Sequence, residues 1–374
     1  MPDSKPLRVL FLTRYPVAGA SSRYRVYQYL PHLRALGVHC EVQPFMDEAM
    51  YALSFSPGRT LRKVWHTLLA VVRRVGAVRR YRGFHVVYMQ RELLPFGPPL
   101  LERWLKRDGA HLVFDYDDAL FIAKASRYNP LATLLRAPAK VFEIFAMVDL
   151  VVAGNDWLRD QAIAHGGRAV TVEVAEDTTR FAPKNFGRGP DIVIGWLGST
   201  STVKYLHLIE PVLREVARRY PHVRFELMGG GEFEMAGVPW RLLPWSLQGE
   251  VDALGRWHIG LMPLPDEAWA NGKSGGKART YMAAGVVPVC TAIGYNLELL
   301  EHRRTGMLCR TSDEWLDALC RLVEDEPLRE LLSRNACADV VERFSPAQQA
   351  LKLRDALLST LGASDKATQE REAR

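Results

Sequence analysis

The sequence predicts an α/β protein made of two consecutive βα domains of similar length. Three observations carry this. Short apolar runs alternate with amphipathic stretches along the chain, as in βα units whose strands are buried on both faces. The alternation restarts at Asp191, after a segment, 182–190, that holds proline, asparagine and glycine. The chain's 374 residues suffice for two full cores. A cleft between two such domains is the natural place for a ligand.

Composition narrows the class. Hydrophobic residues make up 48% and charged residues 24%, the proportions of a globular protein. The net charge of +7 is mild. Cys40, Cys290, Cys309, Cys320 and Cys337 form no CxxC pair and mostly lie in apolar runs. They read as core thiols of a reducing compartment, not as a zinc site or disulfide framework. No run is long enough for a membrane span, and Lys5-Pro6-Leu7-Arg8 passes straight into a strand without a leader. A cytoplasmic location is expected.

In the first domain, expected over 1–183, Arg8 to Thr13 reads as a strand. The loop Arg14 to Arg25 follows, then a helix ending at Gly37 and a strand from Val38 to Phe45. Ser21, Ser22, Arg23 and Arg25 in that loop stand where open α/β sheets bind ligands, although an ordinary connecting loop has the same composition. Residues 58–83 carry eight arginines and lysines, no acid, and Trp65, Leu68, Leu69, Val71 and Val72 between them. This is a basic amphipathic helix, which either rests on an anionic membrane surface or packs its apolar face on the domain. Aromatics do not interleave with the basic residues as a nucleic-acid platform requires, so no nucleic-acid partner is expected.

A third strand, Phe84 to Gln90, is followed by Arg91 and Glu92, and a fourth, His111 to Asp115, opens the sequence Asp115-Tyr116-Asp117-Asp118. Three carboxylates at a strand end suit a divalent metal, a base or an anchor for sugar hydroxyls; helix capping is the plain alternative. Strands at 149–153 and 169–175 flank a capped helix and complete the domain.

The second domain, expected over 190–345, opens with strand 191–199, which enters a loop of glycine, serine and threonine. Lys204 stands near the start of the helix that follows. Strands at 222–230 and 240–245 come next, and then Trp257 to Leu300, around which the chain is organised. There an apolar strand leads into Asn271-Gly272-Lys273-Ser274-Gly275-Gly276-Lys277, then a helix stopping at Gly285 and a strand from Val286 to Cys290. A helix start offers unpaired N–H groups and partial positive charge. Glycines let a phosphate approach the backbone, and lysines add charge. The spacing is not that of a P-loop, and a solvated surface turn is the plain alternative. Helices over 314–344 and 346–362 follow, and the polar tail 363–374 is expected to be disordered.

Four stretches carry a family resemblance over nearly the whole chain. They are RVLFLTRYPVAGASSRYRV, residues 149–181 ending in Asp177-Thr178-Thr179-Arg180-Phe181, IGWLGSTSTVKYL, and KARTYMAAGVVPVCTAIGYNLELL. In order and spacing the chain resembles the retaining GT-B fold glycosyltransferases of the family 4 type. The resemblance implies two Rossmann-like domains facing across a cleft, with the last helix returning toward the first. It implies a nucleotide-sugar donor on the second domain, a hydroxyl acceptor on the first, and no cofactor or metal. Lys204 then contacts the diphosphate, and Gly198 and Ser199 bring backbone close to the donor. Ser274, Gly275 and Gly276 offer amides to the phosphates with Lys273 or Lys277, and Glu298 occupies an acidic position near the donor. Ser22, Arg23, Asp117 and Asp118 orient the acceptor. The family's paired glutamates would fall near Gly272 and Thr280, where neither residue is acidic; Thr280 is left to offer one hydroxyl to the ribose. Trp196 stands where an arginine is often found.

The chemistry this implies is glycosyl transfer with retention, in which Lys204 and Lys277 stabilise the departing diphosphate and Asp117 orients the attacking hydroxyl. A non-catalytic nucleotide-sugar or glycan-binding protein with a degenerate site is the competing reading. A nucleotide-sugar epimerase would need a base triad that the sequence does not offer.

Overall fold

The computed structural model describes residues 6–54, 56, 58–122, 137–182 and 191–372. The expected linker over 182–190 lies outside them except for Ala182. The chain forms two compact units, Met1–Ala175 with Pro346–Arg374, and Glu176–Ser345. The division falls at Ala175, several residues before the proline- and glycine-containing segment.

The first unit is built on six parallel strands: β1 Leu7–Thr13, β2 Val38–Pro44, β3 Val86–Gln90, β4 Leu112–Tyr116, β5 Leu150–Ala153 and β6 Ala169–Thr171. Their spatial order is β2-β1-β3-β4-β5-β6. After β2 the chain crosses to the other side of β1, so the carboxyl ends of β1 and β3 border a switch point, where α/β sheets place ligands. Val9, Phe11, Tyr88 and Val113 are buried on one face with Ala350, Leu353 and Leu357 of the last helix. Leu10, Leu12, Met89 and Phe114 are buried on the other.

The second unit repeats the design with β7 Ile192–Leu197, β8 Val223–Met228, β9 Trp240–Leu243, β10 Ile259–Met262, β11 Val287–Thr291 and β12 Met307–Cys309. The order is β12-β11-β10-β7-β8-β9, all parallel. Its switch point lies at the ends of β7 and β10. The fold is thus α/β with two Rossmann-like domains.

Three local differences from the sequence reading matter. The first loop is shorter than expected, because the chain turns helical at Ala20–Ser22 and continues as a π turn over Arg23–Tyr27. Ser22 and Arg25 therefore face inward. The helix expected around Lys204 is split into a 3-10 stretch, Val203–Ile209, and an α-helix, Glu210–Arg219, with Pro211 in its first turn. The break falls at Ile209, with φ of -120°, and Pro211, which has no N–H to bond back into the preceding turn, suits the start of a new helix. The polar tail is helical to Glu372, because it is rich in alanine, glutamate, glutamine and arginine, all good helix formers.

Candidate functional site

In the second unit the site is built around the end of β7. The Gly198 amide donates to the Met228 carbonyl at 3.0 Å, tying the strand end to β8. A Cβ at Gly198 would sit 2.3 Å from the Trp196 ring and 2.9 Å from Lys277 Cε, so a hydrogen is required for that lysine to pass. The Tyr281 hydroxyl accepts from the Leu197 amide at 2.8 Å and donates to the Leu261 carbonyl at 3.2 Å. It staples β7 and β10 to the helix Gly276–Ala283.

That helix starts two residues earlier than its composition suggests, so Gly276 and Lys277 form its first turn. Gly275 precedes it with φ of 65°, in the left-handed region. A Cβ there would also meet Leu299 at 2.7 Å and Tyr295 at 2.9 Å. Gly275 lends no side chain to cap the first amides, which a ligand can then meet. Beneath them the buried Arg279 donates to the Ser274 carbonyl at 2.6 Å and fixes the loop.

Each of the three lysines lies over an aromatic ring. Lys277 Nζ sits over the Trp196 ring at 4.3 Å and lies 3.4 Å from Thr202 Oγ1, which also accepts from the Ser199 amide at 3.4 Å. Lys204 Nζ lies over Tyr205 at 5.3 Å. Tyr205 stacks on Trp269 at 5.5 Å, and Lys273 Nζ lies 5.3 Å over Trp269. Burial, reinforced by the Lys273 charge, pulls the Lys277 ammonium down to about 7. Lys204, Lys273, Lys277, Gly198 and Ser199 are thus gathered at one strand end. Of the three, Lys277 is the one whose charge burial disfavours.

Thr280 is placed differently from the expectation. Its side chain is buried, and the hydroxyl donates to Glu176 Oε2 at 2.8 Å and lies 3.0 Å from the Gly276 carbonyl. Burial pushes the Glu176 carboxyl up to about 7 against the pull of Thr280, Arg180 and Arg279. Glu298 lies on the exposed face of a short helix, Asn296–Leu299, and its carbonyl accepts from Arg343 at 3.2 Å.

In the first unit Ser21, not Ser22, meets the carboxylate. Ser21 Oγ donates to both oxygens of Asp117, at 3.0 and 3.1 Å, and Arg91 lies 3.5 Å from the same group. Ser22 is fully buried; its hydroxyl donates to Gln90 Oε1 at 2.7 Å and accepts from the Tyr15 amide at 3.0 Å. Arg23 turns back on its own loop toward the Ala18 carbonyl at 3.3 Å. Asp118 Oδ1 accepts from the Ala119 amide at 3.1 Å.

The three-carboxylate cluster is not one site. Asp115 is fully buried and paired with Arg25, whose guanidinium also reaches the Val172 carbonyl. No group of three or more metal-ligating side chains occurs among the described residues. Sequence reasoning named Ser21 and Arg91 without their contact to Asp117, and missed Gln90, Tyr205, Trp269 and Glu176. Positive φ at Arg91, 66°, marks a strained strand end that no residue type announces. The aromatic residues beside Lys204 and Lys273 were the one readable signal.

Residues 191–325 match the family model for Glycosyl transferases group 1. No curated protein matches the chain in sequence. Among solved structures, Alr3699/HepE of Anabaena in complex with UDP and glucose aligns with a TM-score of 0.68 at 15% identity, over 94% of this chain and 100% of that one. Sucrose-phosphate synthase (tll1590) of Thermosynechococcus elongatus aligns at 0.65 and 14%, over 96% and 100%. A glycosyltransferase of Rickettsia africae aligns at 0.67 and 12%, over 96% and 99%. The second unit thus matches the group 1 glycosyl transferase model over 191–325, and the chain's fold is the two-domain, GT-B-like one of these structures.

Proposed function

We propose that the protein transfers a sugar from a nucleotide-sugar donor to a hydroxyl acceptor, with retention and without a metal. The gathering of Lys204, Lys273 and Lys277 beside an uncapped, glycine-led helix start is the observation that carries this reading. The bond from the anomeric carbon to the diphosphate breaks, and one to the acceptor oxygen forms on the same face. The acceptor proton passes to the leaving phosphate. Charge grows on the diphosphate during this step, and lysines with backbone amides stabilise it. The second unit holds the donor. The first holds the acceptor through Ser21, Asp117 and Asp118, and Ser22 and Arg23 shape that loop from beneath. The complexes of HepE with UDP and UDP-glucose support the choice of a uridine nucleotide as first probe.

The basic helix Thr60–Arg79 supports an anionic membrane surface as a partner. Leu61, Trp65 and Val72, at 87%, 62% and 68% exposure, mark an outward apolar stripe at helical spacing with Val64 and Leu68. Arg59, Arg62, Lys63, Arg73 and Arg79 accompany it, and no acid occurs between Glu48 and Glu92. No described helix is long and apolar enough to cross a membrane. The place proposed is therefore peripheral, at the inner face. Sedimentation with phosphatidylglycerol vesicles, lost in high salt and in Trp65→Ser/Leu68→Ser, is the expected result.

The test of the main reading is calorimetric titration with UDP, GDP and their sugars, paired with donor hydrolysis. Binding and turnover are expected, and Lys277→Met should lower turnover roughly 100-fold. Absence of binding by every nucleotide would sink the reading. Binding without turnover would favour a non-catalytic binder, the alternative to which Gly272 and the diverted Thr280 hydroxyl lend support.

A further inference from the structure

Two guanidinium groups share one ring, that of Phe45, just past the carboxyl end of β2 and beside that of β1. Arg14 Cζ lies 5.4 Å from the Phe45 centroid and Arg74 Cζ lies 5.8 Å from it. Arg74 comes from the inner face of the basic helix and is 1% exposed. Its Nη2 donates to the carbonyl of Thr13, the last residue of β1. Its Nε and Nη1 are buried and have no hydrogen-bond partner among the described residues.

The surroundings do not discharge this group. Burial comes first and the Arg14 charge second in holding Arg74 well below the ordinary arginine range, to about 9, still cationic at neutral pH. Glu102 and Tyr27 act in the opposite sense. But Glu102 Oε1 is occupied by the Leu93 amide at 2.9 Å, and the Tyr27 hydroxyl faces Thr13 Oγ1 at 3.4 Å. A buried guanidinium with two idle donors, beside a second cation, is costly unless an anion completes it. The planar fork of arginine matches an oxyanion. Arg14, only partly buried, is the more accessible of the two. The position is the carboxyl edge of the sheet, at the ends of β1 and β2, next to the switch point between β1 and β3 where this fold class binds ligands.

We propose that Arg14 and Arg74 form an oxyanion pocket in the first unit that receives a phosphate group of the acceptor. The word acceptor rests on the glycosyl-transfer reading; the pocket itself does not.

The test is thermal unfolding of the full chain with inorganic phosphate or glycerol 1-phosphate, against chloride at equal ionic strength. A Lys273→Met/Lys277→Met background removes the second unit's lysines. A rise in Tm of about 3 °C is expected with phosphate. Arg74→Met should raise the Tm without phosphate, since an apolar group replaces an uncompensated charge, and should abolish the phosphate rise. Arg14→Met should abolish the rise too. A phosphate rise that survives both substitutions, or none in the parent, overturns the pocket. If Arg74→Met does not fold, Arg14→Met decides alone. Phosphatidylglycerol vesicles used in place of phosphate distinguish a lipid headgroup from a free ester. UDP titration of the chain with native lysines keeps the two readings apart. If UDP fails to bind while the Arg74-dependent rise remains, the transferase reading falls and the pocket stands; the reverse result removes only the pocket.

Discussion

The Thr280 hydroxyl donates to the Glu176 carboxylate at 2.8 Å, across 104 positions of sequence. The hydroxyl at 280 is thereby held by a buried carboxyl from 176, at the point where the chain enters the second unit. Glu176 also anchors that point through its own amide, which donates to the Phe344 carbonyl at 2.9 Å.

This carboxyl sets a pH dependence. Its folded pKa is raised from 4.5 to about 7, so folding takes up a proton between those values. The resulting stabilisation is fully present below about pH 4.5 and is lost as pH rises through about 7, on the order of 3 kcal/mol. Glu176→Gln keeps an acceptor for Thr280 and should flatten the profile. Urea midpoints at pH 5, 6, 7 and 8 check this; an unchanged slope in the variant refutes it.

Lys277 works in the opposite direction for the ligand. With its pKa pulled down to about 7, much of the free protein lacks this charge at neutral pH, and a bound diphosphate should restore it. UDP affinity should therefore weaken as pH rises from 6.5 to 8.5, by up to about tenfold per unit. Calorimetry at pH 7.5 in buffers of different ionisation enthalpy should register net proton uptake. In Lys277→Met the uptake should vanish.

The Arg25–Asp115 pair is structural. Both side chains are fully buried, so Arg25→Met leaves a carboxylate without its partner. The expected cost is about 3 to 5 kcal/mol. Arg25→Met/Asp115→Leu should recover most of it. Equilibrium unfolding of the wild type, both single variants and the double variant measures the coupling; strict additivity would contradict the assignment.

Gly198→Ala separates site geometry from stability. Its methyl group would collide with the Trp196 ring at 2.3 Å and with Lys277 Cε at 2.9 Å. Trp196 is fully buried and cannot yield, so the lysine must move. UDP affinity should fall at least tenfold, alongside a stability loss of about 1 to 3 kcal/mol from overpacking. Wild-type affinity in this variant would show that Lys277 does not need its path past Gly198.

The two-domain α/β plan was legible because buried parallel strands write themselves as short apolar runs, from Arg8–Thr13 to Val286–Cys290. The glycine and lysine loop was legible because local backbone chemistry needs those residue types. Partnerships over long sequence distances were not. Ser22 and Ser21 look alike in sequence, and only the helical turn at Ala20 decides which one meets Asp117. Asp115 looked like a member of a carboxylate cluster until the fold brought Arg25 onto it. Arg74 read as one cation among eight, because nothing local says which arginine of an amphipathic helix faces inward.

The first unit borrows its last helix from the far end of the chain: Ala350, Leu353 and Leu357 close a core begun by Val9 and Phe11. During synthesis that core stays unfinished until the ribosome has delivered residues beyond Leu357. The intervening unit, contiguous from Glu176 to Ser345, can mature first. A released chain truncated before Pro346 would therefore carry a complete C-terminal unit and an N-terminal one still open to chaperones.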